Sequence, residues 1–198
     1  VFFASVISYK KKWRELRNTS ALKDILIATL ILGILFYILF FTGLRYTSPG
    51  NASILALSEV FFSYLYFHVW RKDKLPSQHL MGAILMILGG IIIFYPNLQQ
   101  FQYGDLFILS AVLISPLGNF YQKRARSKVS SEMILFLRSS ISATAIFILA
   151  FLFRDSFSIS GFNYSLIFLL INGVFLLGLS KILWIEGIHR INVMKANA

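Results

Sequence analysis

The chain has 198 residues, 57% of them hydrophobic and 14% charged, and its mean hydropathy of +0.72 is too high for a soluble domain, so it reads as an integral membrane protein. Its formal net charge is +11 and it holds no cysteine, which excludes disulfides, thiolate metal sites and a cysteine nucleophile. Water-soluble enzyme folds fit poorly, and so does nucleic-acid binding despite the basic charge.

A membrane-crossing helix needs about 20 mostly apolar residues, at about 1.5 Å each, to traverse a core about 30 Å thick. In chain order, a partial span at 1–9 is followed by full spans at 25–44, 51–70, 80–95, 106–121, 133–153 and 166–185, then a partial span at 192–198. The chain opens inside an apolar run without Met and closes as a new helix begins, so it reads as a fragment. No basic segment precedes 1–9 to make it a secretory signal.

The connections alternate in charge. One set carries Lys10, Lys11, Lys12, Arg14, Arg17 and Lys23, then Arg71, Lys72 and Lys74, then Lys123, Arg124, Arg126 and Lys128, then Arg190. The other set carries only Arg45 and Arg154, and 96–104 has no charge. Cytoplasmic loops are enriched in Lys and Arg, so fourteen against two predicts that the basic loops 10–23, 71–74 and 123–128 are cytoplasmic. Anionic lipid is their expected contact. Each run is only a short loop between spans, which disfavours a nucleic-acid partner.

Transporter folds often contain halves of opposite topology. An offset of 144 residues sets Ile38 against Ile182, Leu39 against Leu183, Gly43 against Gly187 and Ala52 against Ala196, with Phe40 opposite Trp184, Tyr37 opposite Lys181 and Arg45 opposite His189. The same offset sets Lys10 against Arg154, yet the charge count puts the connections after them on opposite sides. That is the pattern of an inverted repeat.

From Gly43 to Gly90 the sequence GLRYTSPGNASILALSEVFFSYLYFHVWRKDKLPSQHLMGAILMILGG resembles the fourth and fifth helices of an EamA domain of the drug/metabolite transporter superfamily. Tyr46-Thr47-Ser48, the mid-helix Glu59, Asp73 and Leu75 keep the spacing of that pattern, and Gly82 and Gly89 match its small residues. Gly104-Asp105, Arg138 and Gly187 resemble the second EamA copy. Val60 follows Glu59 where the family usually has Pro, which argues against a proline kink there.

The resemblance implies an all-α polytopic membrane bundle of ten helices in an inverted five-plus-five repeat, around a central cavity. In that numbering the chain runs from the end of helix two to the start of helix nine, with 1–96 the remainder of the first repeat and 104–198 the truncated second. About forty residues would be missing at each end, by extrapolation from the repeat offset. The family exports or exchanges small organic solutes, so the resemblance implies a small-molecule substrate, and a bacterial inner (plasma) membrane is the expected location. No cofactor or metal is expected. His68, His79 and His189 lie far apart without ligand spacing.

Glu59 is the sharpest single signal. It lies about 12 Å into its span, too deep for a carboxylate to reach the interface easily. Ala52, Ala56, Glu59, Ser63 and Tyr66 recur every three or four residues, forming one small, polar stripe that should face the interior. A carboxyl at that depth suits binding a proton or a cationic substrate group in turn; the alternative is a neutral Glu hydrogen-bonded to a neighbouring helix.

Arg138 shares a face with Ser142 and Ala145, and it could pair with Glu59 or hold a substrate carboxylate through its planar fork; the alternatives are snorkelling or a static ion pair. Lys181, with Ser180 and Trp184, makes a polar and aromatic face, unless its ammonium snorkels to the interface. Glu186 is expected to be interfacial. Ala111, Ser115, Asn119 and Gln122 form a second interior stripe around Pro116, which either frees a carbonyl or only bends the helix. Asn51 is expected to cap its helix, and Gly82, Gly89 and Gly90 to allow close packing.

The candidate substrate or proton-binding residues are therefore Glu59, Arg138, Asn119, Lys181, Trp184 and Ser63. They point to a secondary transporter working by alternating access, with protons as a possible coupling partner. The other reading is a non-transporting membrane scaffold or lipid-interacting protein with structural buried charges. An intramembrane enzyme is disfavoured, because no His pair, Ser-Lys dyad or paired carboxylates stand at helical spacing.

Overall fold

The structure is a computed structural model that describes residues 2–72, 77–95, 101–152 and 159–191. The expectations for Asp73, Lys74, Leu75, Arg154, the connection 96–100 and the partial span 192–198 lie outside these residues. Among the described residues there is no strand. The elements in chain order are α1 (Phe2–Tyr9), a 3-10 turn (Trp13–Arg17), α2 (Thr19–Arg45), α3 (Pro49–Trp70), α4 (Ser77–Phe94), α5 (Tyr103–Arg126), α6 (Ser131–Leu152) and α7, which runs as Ile159–Ile171, Asn172–Leu179 and Ser180–Arg190.

Among the described residues, five helical stretches are long and apolar enough to cross a membrane: α2, α3, α5, α6 and the part of α7 from Ser165 to Arg190. In α4 the apolar stretch is the shorter Leu80–Gly89.

Each of the six expected spans starts earlier than hydropathy predicts, and side-chain capping accounts for three of these starts. Asn18 accepts the Ala21 N–H at 3.1 Å, so α2 begins at Thr19, ahead of its apolar run. Gln102 and Asp105 form a reciprocal capping box that starts α5 at Tyr103. Ser48 caps α3 with Pro49 in its first turn. Three stretches, Thr29–Leu35, Tyr66–Trp70 and Asn172–Leu179, widen to π geometry.

Helix α5 is the centre of the bundle and packs against α2, α3, α6 and α7. Three apolar clusters hold it there. Ala52, Ile108 and Val112 join α3 to α5 near the start of α5. Ala21, Ile25, Ala125, Val129, Ile134, Leu135 and Ile185 join α2, α5, α6 and α7 near its far end, while Tyr64, Phe67 and Ile188 join α3 to α7, with Phe120 against them. In contrast, the side chains from Ser165 to Leu177 all face outward, as an apolar surface does when lipid is its solvent.

Candidate functional site

Between these clusters lies a cavity of about 360 Å³, walled by α2 (Leu32, Phe36, Tyr37), α3 (Ala56, Leu57, Glu59, Val60), α4 (Met86), α5 (Ser115, Asn119), α6 (Arg138) and α7 (Lys181, Trp184). Five of the six residues expected from sequence, Glu59, Asn119, Arg138, Lys181 and Trp184, line it. Ser63 does not: it is fully buried one helical turn away on the same stripe of α3.

Glu59 is held from α5. Ser115 Oγ donates to Glu59 Oε1 at 2.7 Å and Asn119 Nδ2 donates to the same oxygen at 3.3 Å. The two donors stand one turn apart on α5, with Asn119 Nδ2 3.5 Å from Ser115 Oγ, so both reach one carboxylate on the facing helix. The second stripe expected from sequence is therefore interior along its length, with Ala111, Ser115, Asn119 and Gln122 all buried. Pro116 sits among them and removes one helical N–H from the turn that carries Ser115.

Arg138 Nη1 donates to Gln122 Oε1, a partner that sequence reasoning left out of the site. Gln122 is fully buried, and its Nε2 has no partner among the described residues. Lys181 lines the same cavity as Arg138 and Glu59, so it does not snorkel away from the bundle. One carboxylate and two cations thus share this cavity with Tyr37, Trp184 and Phe36. Such an arrangement can exchange a proton, an ammonium or a carboxylate between fixed partners, with an aromatic and aliphatic wall for an apolar group. Among the described residues no group of His, Asp and Glu could hold a metal ion.

The two ends of the bundle are tied differently. At the start of α5, Asp105 accepts from Thr47 Oγ1, from Asn51 Nδ2 at 3.1 Å and from the Gln102 N–H at 2.8 Å. This corrects the expectation for Asn51. The cap of α3 is Ser48, whose Oγ accepts the Asn51 N–H at 3.1 Å, leaving the Asn51 side chain to reach across to α5.

At the other end, Asp24 is fully buried and paired with Arg124 and with Lys128, the latter at 2.7 Å. Glu186 takes two bonds from Arg126, at 2.8 and 3.0 Å, and one from Ser131 Oγ at 2.6 Å. Glu132 pairs with Lys10 and Lys12. Glu186 is thus joined to α5 and α6, and part of the basic charge read as a lipid contact is engaged by carboxylates instead.

The profile of the EamA-like transporter family matches residues 1–95 and 102–198. The chain belongs to this family. Among curated relatives, the EamA chain is 21% identical over 180 residues to the uncharacterized transporter YoaV of Bacillus subtilis (strain 168), covering 89% of this chain and 62% of that protein. It is 28% identical over 123 residues to the uncharacterized inner membrane transporter YhbE of Escherichia coli (strain K12), covering 58% of this chain and 38% of that protein. The chain thus spans less than two thirds of the length of these relatives. No solved structure matches it.

The motif residues of the EamA pattern act in pairs here. Thr47 of Tyr46-Thr47-Ser48 meets Asp105 of Gly104-Asp105, and the Gly104 N–H donates to the Tyr46 carbonyl at 3.2 Å. Gly43 and Gly104 face each other where α2 meets α5, and a Cβ on either would strike the other's backbone. By contrast, a Cβ at Gly82 or Gly89 would meet nothing within 4 Å among the described residues. Among the described residues the approaches closer than 3.0 Å are instead at Gly33, Gly43, Gly104 and Gly118.

Proposed function

We propose that this EamA chain is the core of a secondary transporter that moves a small polar or amphipathic metabolite by alternating access, in exchange for a proton. The observation that carries this reading is the meeting of Glu59, Arg138 and Lys181, from three helices in both halves of the chain, in one cavity within the spans. Charged groups at that depth are costly unless paired or used. A cavity of about 360 Å³ is at the small end of ligand pockets, which favours a metabolite over a bulky drug. Arg138 and Lys181 suit an anionic group on the solute, and Trp184, Tyr37 and Phe36 suit its apolar part.

In this reading 1–96 and 104–198 are two inverted repeats that rock against each other, and Glu59 gives up its proton when the solute binds and takes one up again after the solute has left. The loops 10–23, 71–74 and 123–128 lie on the cytoplasmic side, as their charge favours, and the membrane is a bacterial inner membrane, like the one named for the relative YhbE.

The test is solute uptake and pH-jump measurement in proteoliposomes holding the full-length protein, with pooled amino acids, sugars and nucleosides, and Glu59→Gln as the paired variant. Solute-dependent proton movement that vanishes in Glu59→Gln is the expected result. Solute flux that survives in the variant would keep transport and reduce Glu59 to a structural group bonded by Ser115 and Asn119. No flux from any pool, with folded protein, would refute transport and leave the scaffold reading.

A further inference from the structure

The 144-residue offset that aligns the two halves by sequence also aligns a backbone irregularity. In α2 the Phe36 N–H bonds to the Ile31 carbonyl, and in α7 the Ser180 N–H bonds to the Phe175 carbonyl. Both bonds have the wide register of a π turn, and each atom of the first pair lies 144 residues before its counterpart in the second. The segments Thr29–Leu35 and Asn172–Leu179 also end 144 residues apart, at Leu35 and Leu179. Two of the three π stretches among the described residues thus fall at equivalent places. The third stretch, Tyr66–Trp70, differs in kind, since it ends α3 rather than interrupting a helix.

A π turn bonds less well than an α turn, and the return to the α register leaves a carbonyl without its helical donor, so a helix bends most easily there. The residues that follow these turns are also equivalent. Tyr37 and Lys181 each stand two positions beyond a π segment, 144 residues apart, and both line the cavity.

Their packing, however, is unlike. In α2, Thr29, Ile31 and Gly33 are buried, Gly33 lies against Ser142 of α6, and Leu32 lies against Gly118 of α5. Within the π segment of α7 only Gly178 is buried, with Phe2 of α1 placed 3.1 Å from where its Cβ would stand. Among the described residues the first turn is packed against two helices and its equivalent is packed at Gly178.

We infer that the two π turns are a matched pair of hinges, one in each repeat, about which Tyr37 and Lys181 swing as the cavity opens to one side of the membrane and then the other. This inference rests on the alternating-access reading given above.

Removing one residue from a π turn converts it to an α turn and keeps the helix faces on either side in register. Leu30 and Val174 are equivalent by the same offset, and both side chains are exposed, so deleting either removes little packing. This chain holds no cysteine, so Ala56→Cys in the cavity wall gives a reporter thiol in the full-length protein once any cysteine outside these residues is replaced by serine. A membrane-impermeant maleimide is then applied to proteoliposomes from each side in turn, with no solute present.

Deletion of Leu30 and deletion of Val174 are expected to shift the ratio of labelling from the two sides in opposite directions, by about five-fold or more each. If the unaltered turns allow labelling from both sides and neither deletion changes the ratio, or both shift it the same way, the hinges are refuted while alternating access stands. If the thiol is labelled from one side only in every form, the hinges and alternating access fail together.

Thr29→Ala and Gly173→Ala are the milder pair should a deletion prevent folding. The first removes the bond from Thr29 Oγ1 to the Ile25 carbonyl at 2.6 Å, and the second adds a methyl with nothing among the described residues within 4 Å. Opposite shifts of about two-fold are expected from this pair; shifts in the same direction, or none, refute the hinges here as well.

Discussion

Replacing Gly43 with alanine places a methyl where α2 meets the start of α5. The new carbon would lie 2.8 Å from the Gly104 carbonyl oxygen and 3.1 Å from the Ile108 nitrogen, against about 3.4 Å for ordinary contact. The backbones must therefore part by about 0.6 Å (3.4 less 2.8), and neither can rotate aside as a side chain would. A separation of that size takes the bond from the Gly104 N–H to the Tyr46 carbonyl from 3.2 Å to about 3.8 Å, outside hydrogen-bonding range. Overpacking costs about 1–3 kcal/mol and the lost bond about 1 kcal/mol, so Gly43→Ala should lose about 2–4 kcal/mol.

At about 2–4 °C per kcal/mol for a chain of this size, the Tm should fall by roughly 5–15 °C, read by tryptophan fluorescence or size-exclusion melting in detergent. Gly82→Ala is the internal control. Nothing among the described residues lies within 4 Å of its new methyl, and losing a glycine from a helix interior should leave stability unchanged or raise it by up to about 1 kcal/mol. An unchanged Tm for Gly43→Ala, or equal falls for both variants, would refute the close approach of α2 and α5.

Asp105→Ala should destabilise by about 3–4 kcal/mol, because three donors, from Thr47, Asn51 and Gln102, lose their acceptor at about 1–1.5 kcal/mol each; the same melting assay reads it, and a loss below about 1 kcal/mol would contradict the cluster. Asp24→Ala should cost about 3–5 kcal/mol, since it leaves two cations facing a buried gap. Arg124→Ala and Lys128→Ala should each cost about 1 kcal/mol or less, because the other cation remains and both are partly exposed. Equal losses across the three variants would show that Asp24 is not the hub.

The cavity was legible because helical spacing converts sequence into faces. Glu59 with Ala52 and Ala56, and Asn119 with Ser115 and Gln122, each recur at three or four residues, and two polar stripes in a membrane bundle have nowhere to go but inward. Ser63 obeys the same rule and still misses the cavity, since spacing fixes the face but not the depth at which the bundle opens. The ionic partners were not legible. Lys10 meets Glu132 across 122 positions and Arg124 meets Asp24 across 100, and only the packing of α1 on α6 and of α2 on α5 brings them together. Asn51 was misread because Ser48, three residues earlier, offers the better cap and frees the amide for Asp105. The glycines show the same limit: Gly43 and Gly82 are alike in sequence, and only the neighbour across each helix decides which of them needs to be glycine.

Helix α5 is bonded to other helices along its whole length. Asp105 near its start joins Thr47 and Asn51, Ser115 and Asn119 at its middle join Glu59, and Arg124 and Arg126 near its end join Asp24 and Glu186. From Asp105 to Arg124 the helix advances about 28 Å, nearly the thickness of the hydrocarbon core. A rod fastened at both ends and at its midpoint cannot slide like a piston, because any axial travel would break all three fastenings at once. What it can do is serve as an axle, with the helices around it tilting while its own position in the bilayer stays still.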